Sequence, residues 1–74
     1  MKTEVVNNYE KEIVIFIYRL GKRVSTRTIA KDVGIHWTTA KKNLESLKKK
    51  NIVKKYSLSN RTLWDISPNF KKKL

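Results

Sequence analysis

An α+β fold is predicted, three helices followed by a two-stranded β-hairpin, and three stretches of the chain predict it. Residues 25–53, STRTIAKDVGIHWTTAKKNLESLKKKNIV, read as a short helix, a tight turn at Gly34, a longer amphipathic helix and the apolar start of a strand. Upstream, residues 9–20 carry apolar side chains at helical spacing. Downstream, residues 52–56 and 62–66 are two strand-like runs separated by SLSNR.

Seventy-four residues suffice for one domain with one modest core. That domain is expected over residues 8–68, between an N-terminal arm (1–7) and a basic C-terminal tail (69–74).

The first helix is expected to start near Asn8. Asn7 with Glu10 three residues on has the form of a capping box. At about 100° per residue, Tyr9, Ile13, Phe16, Ile17 and Leu20 share one face, the expected core stripe, and Gly21 ends the helix. Val14, Ile15 and Tyr18 fall on the other side. An apolar second face asks for a second cover, either the chain's own tails or a second copy, and a homodimer interface through these three residues is expected.

Val24 reads as a short edge strand or a core plug, and Ser25 caps the second helix. Ile29, Ala30 and Val33 face inward, Gly34 permits a left-handed turn, and Ile35 fills the corner. The third helix begins at Trp37, with His36 at its cap. Ala40, Leu44 and Leu47 form its inner stripe; Thr38, Lys42, Glu45 and Lys49 point the other way. Asn51 is expected in the left-handed position after the helix. Trp64 and Ile66 share the core face of the second strand. The connection between the strands is expected to be longer than the tightest hairpin turn. Ser67 and Pro68 end the strand, and Phe70 folds back toward the core.

Charge narrows the function. Residues 1–21 sum to zero, so the whole net charge of +12 lies from Lys22 onward. Such a field attracts polyanions. Cysteine is absent and there is a single histidine, so neither a thiolate nor a zinc site is expected, and no cofactor. No catalytic triad, paired carboxylates or phosphate-cradling loop occurs, which argues against an enzyme. The most apolar run, residues 13–18, is too short to span a bilayer, and no signal peptide precedes it; a cytoplasmic protein without a membrane partner is expected.

A helix that enters a DNA major groove shows short donors and acceptors and long basic chains, with its back held on a core. Thr38, Thr39, Lys41 and Lys42 meet that requirement. Thr26, Arg27, Thr28, Lys31, His36, Trp37 and Lys49 are candidates for the DNA backbone, where contacts set register without reading sequence. Trp37 serves equally as a lid over the core. Lys54, Lys55, Asn60 and Arg61 surround the hairpin, and Arg61 suits a narrow minor groove.

The order helix, helix, turn, helix, hairpin resembles the winged helix-turn-helix family over about residues 9–68, with Ile29, Ala30, Gly34, Ile35, Ala40, Leu44, Leu47, Ile52 and Val53 at its core positions. The resemblance implies a recognition helix in the major groove and a wing near the backbone or minor groove. In size and lysine-rich style the chain is similar to small regulators of archaeal viruses and plasmids, whose setting is the host cytoplasm. The expected function is sequence-specific binding of double-stranded DNA as a homodimer in transcriptional control, with repression favoured and no small-molecule effector. The rival readings are a weakly specific architectural DNA-binding protein and a protein-interaction module.

Overall fold

The computed structural model describes residues 7–71. The rest of the expected arm and tail, residues 1–6 and 72–74, lies outside the described residues.

Helix α1 spans Asn8–Leu20. The capping box forms: the Asn7 side chain accepts from the Glu10 N–H at 2.7 Å, and the Glu10 carboxylate accepts from the Asn7 N–H at 3.0 Å. Gly21, at φ 66°, closes the helix with its N–H on the Ile17 carbonyl. The buried stripe is Glu10, Ile13 and Ile17. It is rotated from the expected one toward Val14, which packs half-buried against the core. Tyr9 and Leu20, expected inside, are 49% and 39% exposed, and Phe16 sits at the core's edge. The cause is Glu10: its bonds to the rest of the molecule turn its own flank of the helix inward. Ile15 and Tyr18 remain outside, 44% and 53% exposed.

Strand β1 is the two residues Val24–Ser25, and α2 follows directly over Thr26–Val33. The Ser25 hydroxyl caps α2 by accepting from the Thr28 N–H at 3.2 Å. Ile29 and Ala30 are buried. At Gly34, φ is 81°, a conformation that disfavours side-chain-bearing residues, and the N–H groups of both Gly34 and Ile35 return to the Ala30 carbonyl.

Helix α3 runs Trp37–Lys49 and buries Ala40, Leu44 and Leu47 completely. It ends in a paired closure: Ile52 N–H bonds the Leu47 carbonyl, Asn51 N–H bonds the Lys48 carbonyl, and Asn51 takes φ 63°. Strands β2 (Val53–Leu58) and β3 (Arg61–Ile66) form the hairpin. Their register, Val53 opposite Ile66 through Leu58 opposite Arg61, leaves a two-residue turn at Ser59 and Asn60. The turn is thus tighter than expected. Ser59 adopts the positive φ, 53°, that lets the strands continue to their tip. Leu58 closes the strand at that tip and is exposed.

β1 pairs antiparallel with β3, giving a three-stranded sheet of order β1-β3-β2. Val24, Val53, Trp64 and Ile66 join Ile13, Ile17, Ile29, Leu44, Leu47 and Ile52 in one core. A short α4, Pro68–Lys71, follows, and Phe70 packs half-buried against that core.

Candidate nucleic-acid interface

Burial of Ala40, Leu44 and Leu47 fixes which side of α3 faces out. Thr38, Lys41, Lys42 and Lys49 are exposed, and Thr39 is half-buried. Thr38, Lys42 and Lys49 lie in line at i, i+4 and i+11, with Glu45 between them. Glu45 reaches the Lys55 ammonium at 3.6 Å, an exposed pair joining α3 to β2. Lys55 therefore belongs to the base of the wing and not to its tip; it also lies 5.8 Å from the Trp64 ring centroid.

The N-terminal tip of α3 is built from His36, Trp37 and Thr38. The His36 ring nitrogen Nδ1 accepts from the Thr38 N–H at 3.3 Å and lies 2.7 Å from the Thr38 hydroxyl. An imidazole thus does the work usually left to a hydroxyl or carboxylate. It leaves the other ring nitrogen free of the cap. Trp37 is 53% exposed, so it is not a lid over the core.

Two other predicted groups come together at the start of α2. Thr26, Arg27 and Thr28, at the start of α2, line a cleft of about 470 Å³ with Asn60, Arg61 and Thr62 of the wing tip. One half-buried hydrogen bond holds the juxtaposition: the Trp64 indole N–H donates to the Thr26 hydroxyl at 2.8 Å, tying β3 to α2. Thr28 accepts from the Ser25 hydroxyl at 2.9 Å. Both threonine hydroxyls thus have internal partners, while Arg27 and Arg61 stay exposed at the two walls. Lys31 is exposed one turn along α2. Lys54 alternates with Lys55 along β2 and points to the opposite face, 6.0 Å from the Tyr56 ring. Arg23 stacks on that same ring at 3.9 Å, holding the lead into β1 against the wing.

Sequence reasoning missed the group that seats α3. Asn43 is buried, donates to the Thr39 carbonyl at 2.8 Å and accepts from the Asn7 side chain at 3.0 Å. Beside it, the Lys50 ammonium meets the buried Glu10 carboxylate at 3.1 Å. Burial alone would raise the Glu10 carboxyl, but hydrogen bonds from Ser46, Lys50 and the Asn7 backbone, with the Lys50 charge, hold it below its ordinary value of 4.5. Asn43 stands between Ala40 and Leu47 at helical spacing, and that adjacency to the inner stripe was its one signal.

Among the described residues, no cluster of three or more His, Asp or Glu side chains can hold a metal ion, and no helix is long and apolar enough to cross a membrane.

The family described as FaeA-like protein matches residues 9–68, from the first turn of α1 to the start of α4. This chain belongs to that family. Solved structures similar to this FaeA-like chain share its architecture. The homodimeric winged helix-turn-helix DNA-binding domain Mb0332 of Mycobacterium bovis matches with a TM-score of 0.80 and 22% identity, over 90% of this chain and 60% of that one. MepR, a transcription regulator of a Staphylococcus aureus multidrug efflux pump, matches with a TM-score of 0.81 and 17% identity, over 90% of this chain and 51% of that one. The Zalpha domain of Carassius auratus PKZ, solved in complex with Z-DNA, matches with a TM-score of 0.70 and 29% identity, over 78% of this chain and 90% of that one. No curated protein matches. The FaeA-like chain therefore has the winged helix-turn-helix fold, and it spans 60% of the Mb0332 fragment and 51% of MepR.

Proposed function

We propose that this chain is a sequence-specific, double-stranded DNA-binding regulator of transcription that works in the cytoplasm as a homodimer. α3 enters the major groove with Thr38, Thr39, Lys41 and Lys42 at base edges. Arg27, Lys31, His36, Trp37 and Lys49 meet the flanking backbone, with Thr26 and Thr28 shaping the wall beside them. Asn60 and Arg61 follow the backbone or minor groove from the wing tip, and Lys54 and Lys55 add charge at its base.

The observation that carries this reading is the convergence of charge and shape. The entire +12 lies from Lys22 onward; the outer side of α3 carries Lys41, Lys42, Lys48 and Lys49, and the cleft between the start of α2 and the wing tip is flanked by Arg27 and Arg61. Repression by occupying a promoter is the favoured mechanism, since it needs no contact beyond the DNA-reading surface. The mycobacterial relative's homodimer and DNA-binding domain support the reading by analogy of fold.

Selection from random duplex DNA at about 0.15 M salt tests it. Enrichment of an inverted repeat, with half-sites about 34 Å apart, is the expected result. Binding without enrichment would point instead to a weakly specific architectural protein. A second reading, recognition of left-handed DNA, is favoured by the Zalpha match. Under that reading, bound alternating purine–pyrimidine duplex would show inverted circular dichroism.

A further inference from the structure

We propose that the outer stripe of α1 pairs two copies antiparallel about Ile15, with Glu12 of each copy against Arg19 of the other. This rests on the homodimer part of the reading above; the register and the pairing residues are what it adds.

The stripe is exposed along its whole length. Lys11, Glu12, Ile15, Tyr18 and Arg19 all lie on the surface, and the apolar pair Ile15 and Tyr18 has no cover among the described residues. The ion pairs among those residues are Lys50–Glu10 and Lys55–Glu45, so Lys11, Glu12 and Arg19 enter none.

Spacing decides the geometry. At about 100° per residue, Ile15 occupies the centre of the stripe, Lys11 and Tyr18 one flank, Glu12 and Arg19 the other. A two-fold axis perpendicular to a pair of antiparallel helices brings each flank against the same flank of the second copy. With the axis at Ile15, Glu12 and the opposing Arg19 differ in height by one residue's rise, about 1.5 Å, and so do Lys11 and the opposing Tyr18. Both contacts occur twice. One flank carries two carboxylate–guanidinium pairs, the other two ammonium–ring contacts, and Ile15 packs on its own copy between them. The surface is complementary to itself without a like charge set opposite a like charge.

Charge selects the occupant. Residues 1–21 sum to zero in a chain of net charge +12. A second copy is repelled by the basic surface beyond Lys22 and meets a net charge of only +1 on the outward face of α1, from Lys11, Glu12 and Arg19. A small groove of about 160 Å³, lined by Ile15, Phe16 and Val33 with Glu12, Arg19 and Asp32, adjoins the flank of Glu12 and Arg19. It places a second carboxylate, Asp32, beside Glu12 on the flank that the opposing Arg19 approaches.

Sedimentation equilibrium of wild type, Glu12→Arg, Arg19→Glu and a one-to-one mixture of the two variants tests the register. Circular dichroism confirms that each variant is folded. Wild type should sediment as a dimer of the 8.8 kDa chain. Each variant alone sets two pairs of like charges face to face and should be monomeric, with its dimer dissociation constant raised at least tenfold. The mixture restores both pairs and should recover the dimer. Variants that remain dimeric alone, or a mixture that stays monomeric, would overturn the Glu12–Arg19 register while leaving the homodimer standing. A monomeric wild type would overturn the homodimer itself. DNA affinity of the monomeric variants for a single half-site, measured alongside, reports on the groove-reading proposal separately.

Discussion

Replacing Glu10 by Gln keeps the shape of the capping box and removes the charge that faces Lys50. The Gln carbonyl can still accept from the Asn7 N–H, which the carboxylate holds at 3.0 Å. What is lost is the negative charge that strengthens the bond from the Lys50 ammonium, which meets the same oxygen at 3.1 Å. Hydrogen bonds to charged groups contribute about 1.5 to 3 kcal/mol. Stranding one member of a buried pair costs more, but the Lys50 side chain is 24% exposed and recovers water, so the lower half of the range applies, about 1.5 to 2 kcal/mol. In a domain of this size that is roughly 6 to 16 °C in Tm. Urea unfolding at pH 7 should show the midpoint falling with an unchanged slope. The pH dependence gives the sharper check. The folded pKa of Glu10 is depressed, so its ionic contribution is complete above the unfolded value of 4.5 and is lost as pH falls through the lower folded value. The gap between wild type and Glu10→Gln should therefore close in acid. A gap that persists unchanged at low pH, or one below about 0.5 kcal/mol at pH 7, would refute the ionic account of the α1–α3 junction.

Trp37 is 53% exposed and Trp64 1% exposed, so duplex DNA should alter emission from Trp37 alone, and Trp37→Phe should abolish the change; a response that survives would remove Trp37 from the contact surface. Lys42→Ala should weaken binding and relax one operator position by roughly 1 to 3 kcal/mol, whereas equal weakening on every sequence would assign Lys42 to phosphate. Arg61→Ala should lower the salt slope of binding by about 1, and an unchanged slope would free the wing tip of phosphate contact. Gly34→Ala meets no atom within 4 Å, so its cost is backbone strain at φ 81°, about 1 to 2 kcal/mol by urea unfolding, and an unshifted midpoint would show that the turn does not depend on glycine.

Periodicity, caps and turns were legible because they are local. Asn7 with Glu10, Ser25, Gly34 and Asn51 each sit where the sequence put them, and the inner stripe of α3 is Ala40, Leu44 and Leu47 as read. Local pattern failed where a distant partner decides. Val24, left open between an edge strand and a core plug, is both: it is buried, and it pairs with Trp64 of a strand forty residues on. The inward turn of α1 follows from Glu10 meeting Lys50, forty residues away, and the spacing of apolar residues along a helix does not anticipate a buried carboxylate. The hairpin turn is shorter than its composition suggests for a different reason: Ser59 adopts a positive φ that serine rarely takes, whereas SLSNR by residue type points to a longer loop.

For the interface, the sequence identified residue types, but which of them act together depends on packing. The Trp64–Thr26 bond brings the start of α2 to the wing, and the Glu45–Lys55 pair turns one predicted wing lysine back toward α3. The distribution of charge was legible throughout, and in the fold it becomes a division of surfaces. Attraction of a polyanion and repulsion between copies both grow with the same basic field, so a protein that uses the field for DNA would self-associate most easily where the field is weakest. On α1 the outward charges, Lys11, Glu12 and Arg19, sum to only +1 and alternate in sign, so the asymmetry along the chain that would favour DNA on α3 and the wing would also favour the proposed second copy on α1.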